Sequence, residues 1–209
     1  MTNHSASPSI YVSVLSDYNS GYLHGKWIDA TLPVDEIWQD IHQLYITSKF
    51  PNVTATVCNE CEHIKLYDHD KCDTCDSTNI KIVPASEEFA IMDTEGFEPF
   101  TISEYSSIEE IADIATLLSD VSNDEDLAKI TFLQGIYDDL DAIKDKIDDV
   151  DLFNGSRADY AEDLIADCYE VPDFLVNYID YDKFGRDLEI NGEITEIAHE
   201  VFVINPQDL

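Results

Sequence analysis

Four cysteines between positions 58 and 75 constrain the fold of this chain more than any other feature. They form two Cys-x-x-Cys pairs, Cys58 with Cys61 and Cys72 with Cys75, separated by ten residues. Each pair can present two thiolates from one tight turn, and four thiolates complete a tetrahedral zinc site. Because four protein ligands leave no open position for water, we expect the zinc to be structural and not catalytic. A pair of redox dithiols is the alternative interpretation.

The residues around the cysteines predict that this region folds as a zinc ribbon. Thr54–Val57 and Asn79–Val83 are short stretches rich in β-branched residues and are expected to pair as strands. His63 and His69 lie between the two pairs and are spare ligands at best. We therefore assign residues 53–85 to an inserted module that holds Zn²⁺ as a structural cofactor.

An excess of acid is the second constraint. The chain has 45 Asp and Glu against 11 Lys and Arg, a net charge of −34. It still folds, because 44% of its residues are hydrophobic, too many for a disordered acidic chain. Such a charge repels nucleic acid and anionic membranes and attracts cationic partners. Composition alone leaves three explanations open: solubility or adaptation to high salt, calcium binding, and imitation of a polyanion.

The acids are most crowded in the stretch Gly135–Phe153. Its apolar residues recur at steps of three and four, which predicts an amphipathic helix with one buried stripe. The stripe consists of Tyr137, Leu140, Ile143, Ile147 and Val150. Seven of the other fourteen positions are aspartate, a poor helix former, and like charges at this spacing repel by about 0.2–0.5 kcal/mol per pair. Neutralising four of these acids together is therefore expected to leave the helix as stable or slightly more stable. The four are Asp138, Asp141, Asp145 and Asp149.

Hydrophobic periodicity along the rest of the chain predicts an α+β protein made of small units. The first part alternates like a small antiparallel sheet with one helix, the middle is helical and acidic, and the end combines helices with a closing hairpin. Asn123 and Ser156 are candidate N-caps of two of these helices, and one helix is predicted to begin at Pro172 and to run through "DFLVNYIDYDKFGRDLEI". The expected parts are a disordered leader 1–8, a sheet and helix domain 9–52 with 86–100, the inserted module 53–85, an acidic helical domain 101–152, and a C-terminal α+β domain 153–209.

Signals for export or membrane insertion are missing from the sequence. The first eight residues have neither a basic start nor an apolar stretch. No run approaches the ~18 apolar residues that a spanning helix needs. We therefore expect a cytoplasmic protein whose cysteines do not form structural disulfides.

Motifs for catalysis are also missing. The chain has no P-loop, G-x-G-x-x-G or H-E-x-x-H pattern, and an EF-hand loop around Gly155 would need Val150 and Leu152 as ligands. Cys168 lies alone in an amphipathic pattern and is predicted to be a core residue. We predict that the protein is not an enzyme and that its scattered histidines are surface or core residues: His4, His24, His42 and His199.

Three segments, in the same order, resemble the ArdA-type antirestriction proteins. "IYVSVLSDYNSGYLHGKWIDA" is similar to the I-Y-V, Y-N-x-G and G-x-W opening of that family. "EEFAIMDTEGF" resembles its E-E-x-x-I-x-D-x-E-G-F segment, and "YIDYDKFGRDLEI" resembles its C-terminal Y-x-D-x-x-x-F-x-R-D-L. The four-cysteine segment departs from the commoner, shorter members.

The resemblance implies an elongated, three-part homodimer that mimics bent double-stranded DNA. Such a protein occupies the DNA-binding groove of type I restriction-modification enzymes, protects incoming mobile elements, and itself binds neither nucleic acid nor membrane. Acids three or four residues apart lie ~5–6 Å apart along a helix, whereas DNA presents a phosphate every ~3.4 Å per strand. Neighbouring helices are therefore expected to supply two charged rows. The predicted phosphate surrogates are Glu104, Glu109, Glu110, Asp113, Asp120, Asp124, Glu125, Asp126, Asp138, Asp139, Asp141, Asp145, Asp148, Asp149, Asp151, Asp159, Glu162, Asp163, Asp167 and Glu170.

The C-terminal domain is the expected dimer interface. Its segment "DFLVNYIDYDKF" offers apolar side chains, and two-fold symmetry would double the length of a DNA mimic. The predicted interface residues are Phe174, Leu175, Tyr178 and Phe184. The alternative function is an acidic zinc-ribbon adaptor that binds a basic protein, such as a polymerase or a chromosome-associated factor.

Overall fold

A computed structural model describes residues 7–104 and 106–209 and shows an α+β protein, as predicted. The described residues form three antiparallel sheets of three strands each. The chain divides into two compact units, the first ending at Asp120 and the second beginning at Val121. This division falls inside residues 101–152, which the sequence grouped as one acidic domain. In the part of the chain that the structure describes, no helix is long and apolar enough to cross a membrane.

The first unit is built on a sheet with the order β2-β1-β6, covered by one helix. Ile10, Val12 and Val14 alternate along the central strand and are fully buried, together with Ile37 and Ile41 of the helix. This is the sheet and helix that the alternating and helical patterns predicted. The elements of the unit are β1 (Ser9–Val14), α1 (Leu15–Asn19), β2 (Gly25–Asp29), α2 (Val34–Ile46), β3 (Val53–Cys58), β4 (Ile64–Leu66), β5 (Ile80–Ala85), β6 (Phe89–Glu95) and α3 (Ile108–Ser119).

The cysteine segment forms a second sheet, with the order β4-β3-β5. β3 and β5 pair from Val53 opposite Ala85 to Cys58 opposite Ile80, so the predicted strand pair is confirmed. The short strand β4 was not predicted, because three residues between two turns carry too little pattern. We call residues 53–85 the ribbon.

A buried aspartate fixes the stem from which the ribbon leaves the first sheet. Asp17 in α1 is completely buried. Its Oδ1 accepts hydrogen bonds from the Ser48 hydroxyl and the Phe50 backbone N–H, both at 2.8 Å, and from the Lys49 N–H at 3.1 Å. These donors satisfy the buried oxygen of Asp17 and hold the chain just before β3.

The predicted leader is described only at its end. Residues 1–6 lie outside the described residues, as does Tyr105. Pro8 is buried, and its carbonyl oxygen accepts the Ala30 N–H at 2.9 Å. The chain is therefore part of the fold from at least this residue, one position earlier than the predicted domain.

The second unit packs helices around a sheet with the order β7-β9-β8. Leu188, Ile194 and Phe202 form a buried cluster in it. Two predicted helix caps are confirmed, since the Asn123 and Ser156 side chains each accept a backbone N–H of the first turn. The elements are α4 (Asp124–Gln134), α5 (Leu140–Lys146), a 3₁₀ turn (Ile147–Asp149), β7 (Leu152–Asn154), α6 (Arg157–Cys168), α7 (Asp173–Val176), α8 (Tyr181–Ile190), β8 (Thr195–Ala198) and β9 (Val201–Val203).

The acidic helix predicted over Gly135–Phe153 is much shorter in the structure, where α5 has seven residues. The side chain of Asn205, near the C-terminus, forms two hydrogen bonds with the end of this stretch. Its amide donates to the Asp149 carbonyl at 2.7 Å, and its Oδ1 accepts the Asp151 N–H at 3.0 Å. These contacts favour extended chain over further helix. The predicted apolar stripe still faces inward, because Ile143 and Val150 are almost completely buried.

The helix predicted from Pro172 onward is divided into α7 and α8. Its break follows from Asp180, whose side chain accepts the Lys183 N–H at 3.0 Å and so begins a new helix. Cys168 was predicted to be a core residue, but it is exposed, because α6 ends there and the chain continues in extended conformation.

Candidate metal centre and acidic surface

The four cysteines of the ribbon come together at one point. Their sulfur atoms all lie within 4.8 Å of one another, with Cys58 3.6 Å from Cys75 and Cys61 3.6 Å from Cys72. A tetrahedral Zn²⁺ site with Zn–S bonds of ~2.3 Å places its sulfur atoms ~3.8 Å apart. A disulfide would require ~2.05 Å. The spacing therefore fits four thiolates around one metal ion and not two disulfides.

The two Cys-x-x-Cys turns, which we call the knuckles, have the same backbone geometry. In each, the N–H of the first cysteine donates to the carbonyl five residues later, at 2.9 Å in both cases. The fourth residue after Cys58 or Cys72 donates its N–H back to that cysteine's carbonyl, at 3.1 and 2.9 Å. This residue, Glu62 or Asp76, has a positive φ of 60° or 55°. Two unrelated stretches of sequence thus build the same thiolate-presenting turn.

Backbone N–H groups in the knuckles favour thiolates. Burial raises the pKa of the Cys72 thiol, but hydrogen bonds from the Cys75 and Thr74 N–H groups and with the Cys61 and Cys75 thiols together lower it further, so that the pKa falls to about 6. The Ser77 N–H lowers the pKa of the Cys75 thiol, but hydrogen bonds with the neighbouring thiols and burial together outweigh it and raise this pKa to about 12. Ionisation of one thiol therefore makes ionisation of its neighbours less favourable. A bound cation would stabilise all four thiolates together, which is the electrostatic reason that a metal ion fits here.

Lys65, Lys71 and His69, which lie near the cysteines, are engaged elsewhere. Lys65 forms an ion pair with Asp73, and Lys71 pairs with Asp76 at 2.5 Å. The His69 ring N–H donates to the carbonyl of Leu66 at 2.9 Å. Among the described residues, the group that can hold a metal consists of the four cysteines, without either histidine.

The predicted phosphate surrogates lie on the surface. All twenty are exposed except Asp126, which is half-buried beside its cap, Asn123. Glu104, Glu109, Glu110, Asp113 and Asp120 belong to the first unit and the others to the second. The structure therefore spreads the predicted set over both units.

Two of these acids also have local structural roles. Asp159 completes a capping box at the start of α6, and hydrogen bonds from the Ser156 hydroxyl and N–H lower the pKa of its carboxyl group. Glu125 accepts a hydrogen bond from the Asn154 amide at 3.0 Å. Substitution of either residue would therefore change local structure as well as charge.

Three of the four predicted interface residues are exposed. The exposed fractions are 72% for Phe174, 42% for Leu175 and 84% for Tyr178. Phe184 is half-buried against the Leu188 cluster of its own unit, and its part in a dimer interface stays a prediction. Its position on the inner face of α8 could not be read from a segment that was predicted as one continuous helix.

A cleft of about 410 Å³ lies between α2 and the knuckles. On one side it is lined by Asp35, Trp38 and His42 of α2, and on the other by Cys61 and Thr74. The sequence placed His42 among scattered surface or core histidines and did not indicate this cleft. Its walls are far apart in sequence, and only the packing of the ribbon on α2 brings them together.

Three aromatic rings, two from α2 and one from β6, pack together beside this cleft. The Trp38 ring is 5.8 Å from His42 at an interplanar angle of 29°, and 5.8 Å from Phe89 edge-on. Its Nε1–H points to the Glu109 carboxylate at 3.4 Å. Burial, and next the charge of nearby His63, lower the pKa of His42. Both effects favour the neutral form of the His42 ring over its protonated form.

Comparison with known families accounts for nearly the whole chain. The family model of the antirestriction protein ArdA matches residues 10–203. A search of curated proteins gave no significant match. The matched range includes the segments that resemble the family, the ribbon, and the acidic helices of both units. The chain therefore belongs to the ArdA family of antirestriction proteins.

Proposed function

We propose that this protein inhibits type I restriction-modification enzymes by occupying their DNA-binding groove in place of DNA. Membership of the family supports an antirestriction role. The main observation in support of DNA mimicry is that the α5 region has a buried apolar face and an exposed acidic face. Ile143 and Val150 are buried, while Asp141, Asp145 and Asp148 are exposed to solvent. The fold thus keeps these carboxylates available to a cationic partner.

The charge balance of the second unit supports the same proposal. Residues 121–209 contain 24 Asp and Glu against six Lys and Arg, a net charge of −18. Some of the few cations are already paired, since Arg157 contacts Asp182 and Glu189, and Lys146 contacts Asp149. Most of the acids are therefore left to attract the Lys and Arg side chains that hold phosphates in a DNA-binding groove.

Zn²⁺ is the proposed occupant of the four-cysteine centre, where it would serve folding and not catalysis. Cys58, Cys61, Cys72 and Cys75 would hold it with no position left for substrate. The metal would replace the large hydrophobic core that a module of this size cannot build. We accordingly propose a protein that acts by binding and not as an enzyme.

A homodimer is the proposed working form. Phe174, Leu175 and Tyr178 expose apolar surface on one short segment of the second unit. Covering such side chains is a common cause of association, and a two-fold assembly would offer an acidic surface twice as long. We place this dimer in the cytoplasm, where restriction enzymes meet incoming DNA.

The direct test is displacement of duplex DNA from a type I methyltransferase core. Labelled DNA is bound to the enzyme, the protein is added, and release is followed by fluorescence anisotropy at several salt concentrations. We expect release at near-stoichiometric concentrations and a salt dependence shallower than that of DNA, because a protein has no dense atmosphere of condensed counterions. Failure to release DNA at any tested salt would contradict the proposal.

The adaptor function is the second candidate, because the ribbon exposes apolar side chains of its own. Tyr67 and Ile82 are each 53% exposed. An adaptor would bind its basic partner through the ribbon, and duplex DNA would not compete. Binding that survives saturating DNA and is lost when both residues are changed to Ser would favour this candidate over mimicry.

A further inference from the structure

The cleft between α2 and the knuckles has a lining suited to a flat cation. Trp38 is half-buried, and together with the His42 ring that it stacks on it provides aromatic surface. Asp35 is exposed at the rim, and the Glu109 carboxylate lies 3.4 Å from the indole nitrogen. Aromatic faces attract cations, and the carboxylates add charge of the right sign.

Positive charge near this wall of the cleft is already neutralised or absent. Lys26, which reaches α2 from β2, forms an ion pair with Asp40 at 2.8 Å. Among the lining residues that the structure describes, His42 and His63 alone can become cationic. A cation that enters the cleft would therefore meet net negative charge, and it would not have to displace a cationic side chain of the protein.

We propose that this cleft receives an arginine side chain of a basic partner protein. A guanidinium group is planar, stacks on aromatic rings and donates several hydrogen bonds in one plane, so it can use Trp38 and Asp35 together. A lysine ammonium is compact and strongly hydrated, and it fits this lining less well. The inference deepens the proposed function, because arginine is abundant on surfaces that hold phosphate. It also gives the ribbon a role, since the knuckles supply the opposite wall.

Fluorescence of Trp38 allows a direct test on the intact protein. The chain has two tryptophans, so the variant Trp27→Phe leaves Trp38 as the only one. A capped Gly-Arg-Gly peptide and a capped Gly-Lys-Gly peptide are titrated at the same ionic strength. We expect saturable quenching by the arginine peptide, with an affinity about fivefold higher than that of the lysine peptide. Equal affinities, or no saturable change, would overturn the proposal.

Two charge reversals on the same turn provide a matched pair of variants. Asp35 lines the cleft, whereas its neighbour Glu36 is also exposed in the first turn of α2 but is not among the lining residues. Asp35→Lys and Glu36→Lys each replace one negative charge with one positive charge at the same end of the helix. We expect Asp35→Lys to weaken the arginine peptide at least about tenfold and to abolish its preference over lysine. Glu36→Lys should retain the preference. Equal loss in both variants would mean that the effect is diffuse electrostatics, and would overturn the proposal.

The DNA-displacement assay separates this inference from the proposed function. If wild type displaces DNA and Asp35→Lys is no weaker than Glu36→Lys, the cleft makes no contact with the enzyme and the inference fails while mimicry stands. If wild type does not displace DNA but the arginine preference is present, mimicry fails and the cleft remains an arginine site. A loss of potency in Asp35→Lys alone would support both.

Discussion

Changing Asp138, Asp141, Asp145 and Asp149 together to Asn separates the role of the acids from their effect on the fold. The four side chains are exposed, and the apolar residues beneath them stay unchanged. The variant therefore tests whether their charge is used for binding, provided that its stability is close to that of wild type.

The structure revises the expected effect on stability. Only Asp141 and Asp145 repel each other within α5, and their neutralisation returns about 0.2–0.5 kcal/mol. Asp141 lies in the first turn, where loss of its charge costs about 0.3–1 kcal/mol of favourable interaction with the helix dipole. Loss of the exposed Lys146–Asp149 pair adds little. The variant should therefore be about 0.5 kcal/mol less stable, and not slightly more stable as the longer predicted helix implied.

The effect on binding should be much larger if the acids replace phosphates. At roughly 0.5 kcal/mol for each exposed pair, four charges contribute about 2 kcal/mol, or about thirtyfold in affinity. The slope of log affinity against log salt should also flatten, because fewer ion pairs are formed. The measurement is displacement of duplex DNA from a type I methyltransferase core, with urea unfolding as the check on stability.

A second variant with the same change in charge controls for the overall field of the protein. It neutralises four exposed acids that lie outside the predicted set, and these are Glu36, Asp70, Glu95 and Asp187. We expect this variant to keep more potency than the first. Equal potency of the first variant and wild type would refute the claim that this region contacts the enzyme, and equal losses in both variants would show that only net charge matters.

Three further outcomes follow from particular contacts. Asp17 is buried, and its side-chain oxygen accepts several hydrogen bonds. In Asp17→Asn the amide must turn one N–H toward these donors, so we expect the free energy of unfolding to fall by about 2–4 kcal/mol. Urea unfolding, followed through the two tryptophans of the first unit, measures this loss. Protein purified without added metal should contain about one zinc per chain by elemental analysis. Cys58→Ser should lose that zinc and broaden NMR signals of the ribbon alone; a metal-free protein with four titratable thiols and an unchanged ribbon would contradict the centre. Sedimentation should show a dimer at micromolar concentration that Phe174→Ala with Tyr178→Ala dissociates, and a wild-type monomer would refute dimerisation through this unit.

Features set by local chemistry could be predicted from the sequence. The N-caps at Asn123 and Ser156 depend on residues within a few positions of one another. The strand pair was predicted from the β-branched stretches that flank the cysteines on both sides. The spacing of Cys58, Cys61 and Cys72 likewise identified the cluster, because each knuckle is a short turn with its own hydrogen bonds.

Features set by distant contacts could not be predicted. Asn205, far along the chain, ends the acidic helix region at Asp149. The burial of Phe184 depends on where α8 begins, which Asp180 decides. The cleft beside Trp38 has one wall from α2 and one from the ribbon, and no periodicity in either segment indicates the other. Tertiary packing thus determined the features that local patterns left open.

The way in which the ribbon joins the first sheet would allow the ribbon to be exchanged as one segment. The Asn52 N–H donates to the Ala85 carbonyl at 3.0 Å, so the chain leaves the sheet and returns to it at neighbouring positions. A tight turn could bridge such a gap at small cost in loop entropy. Gain, loss or exchange of this segment would therefore leave the host sheet intact while changing the wall that faces Trp38. If the cleft binds arginine as proposed, exchange of the ribbon would change this binding site and leave the acidic helices unchanged.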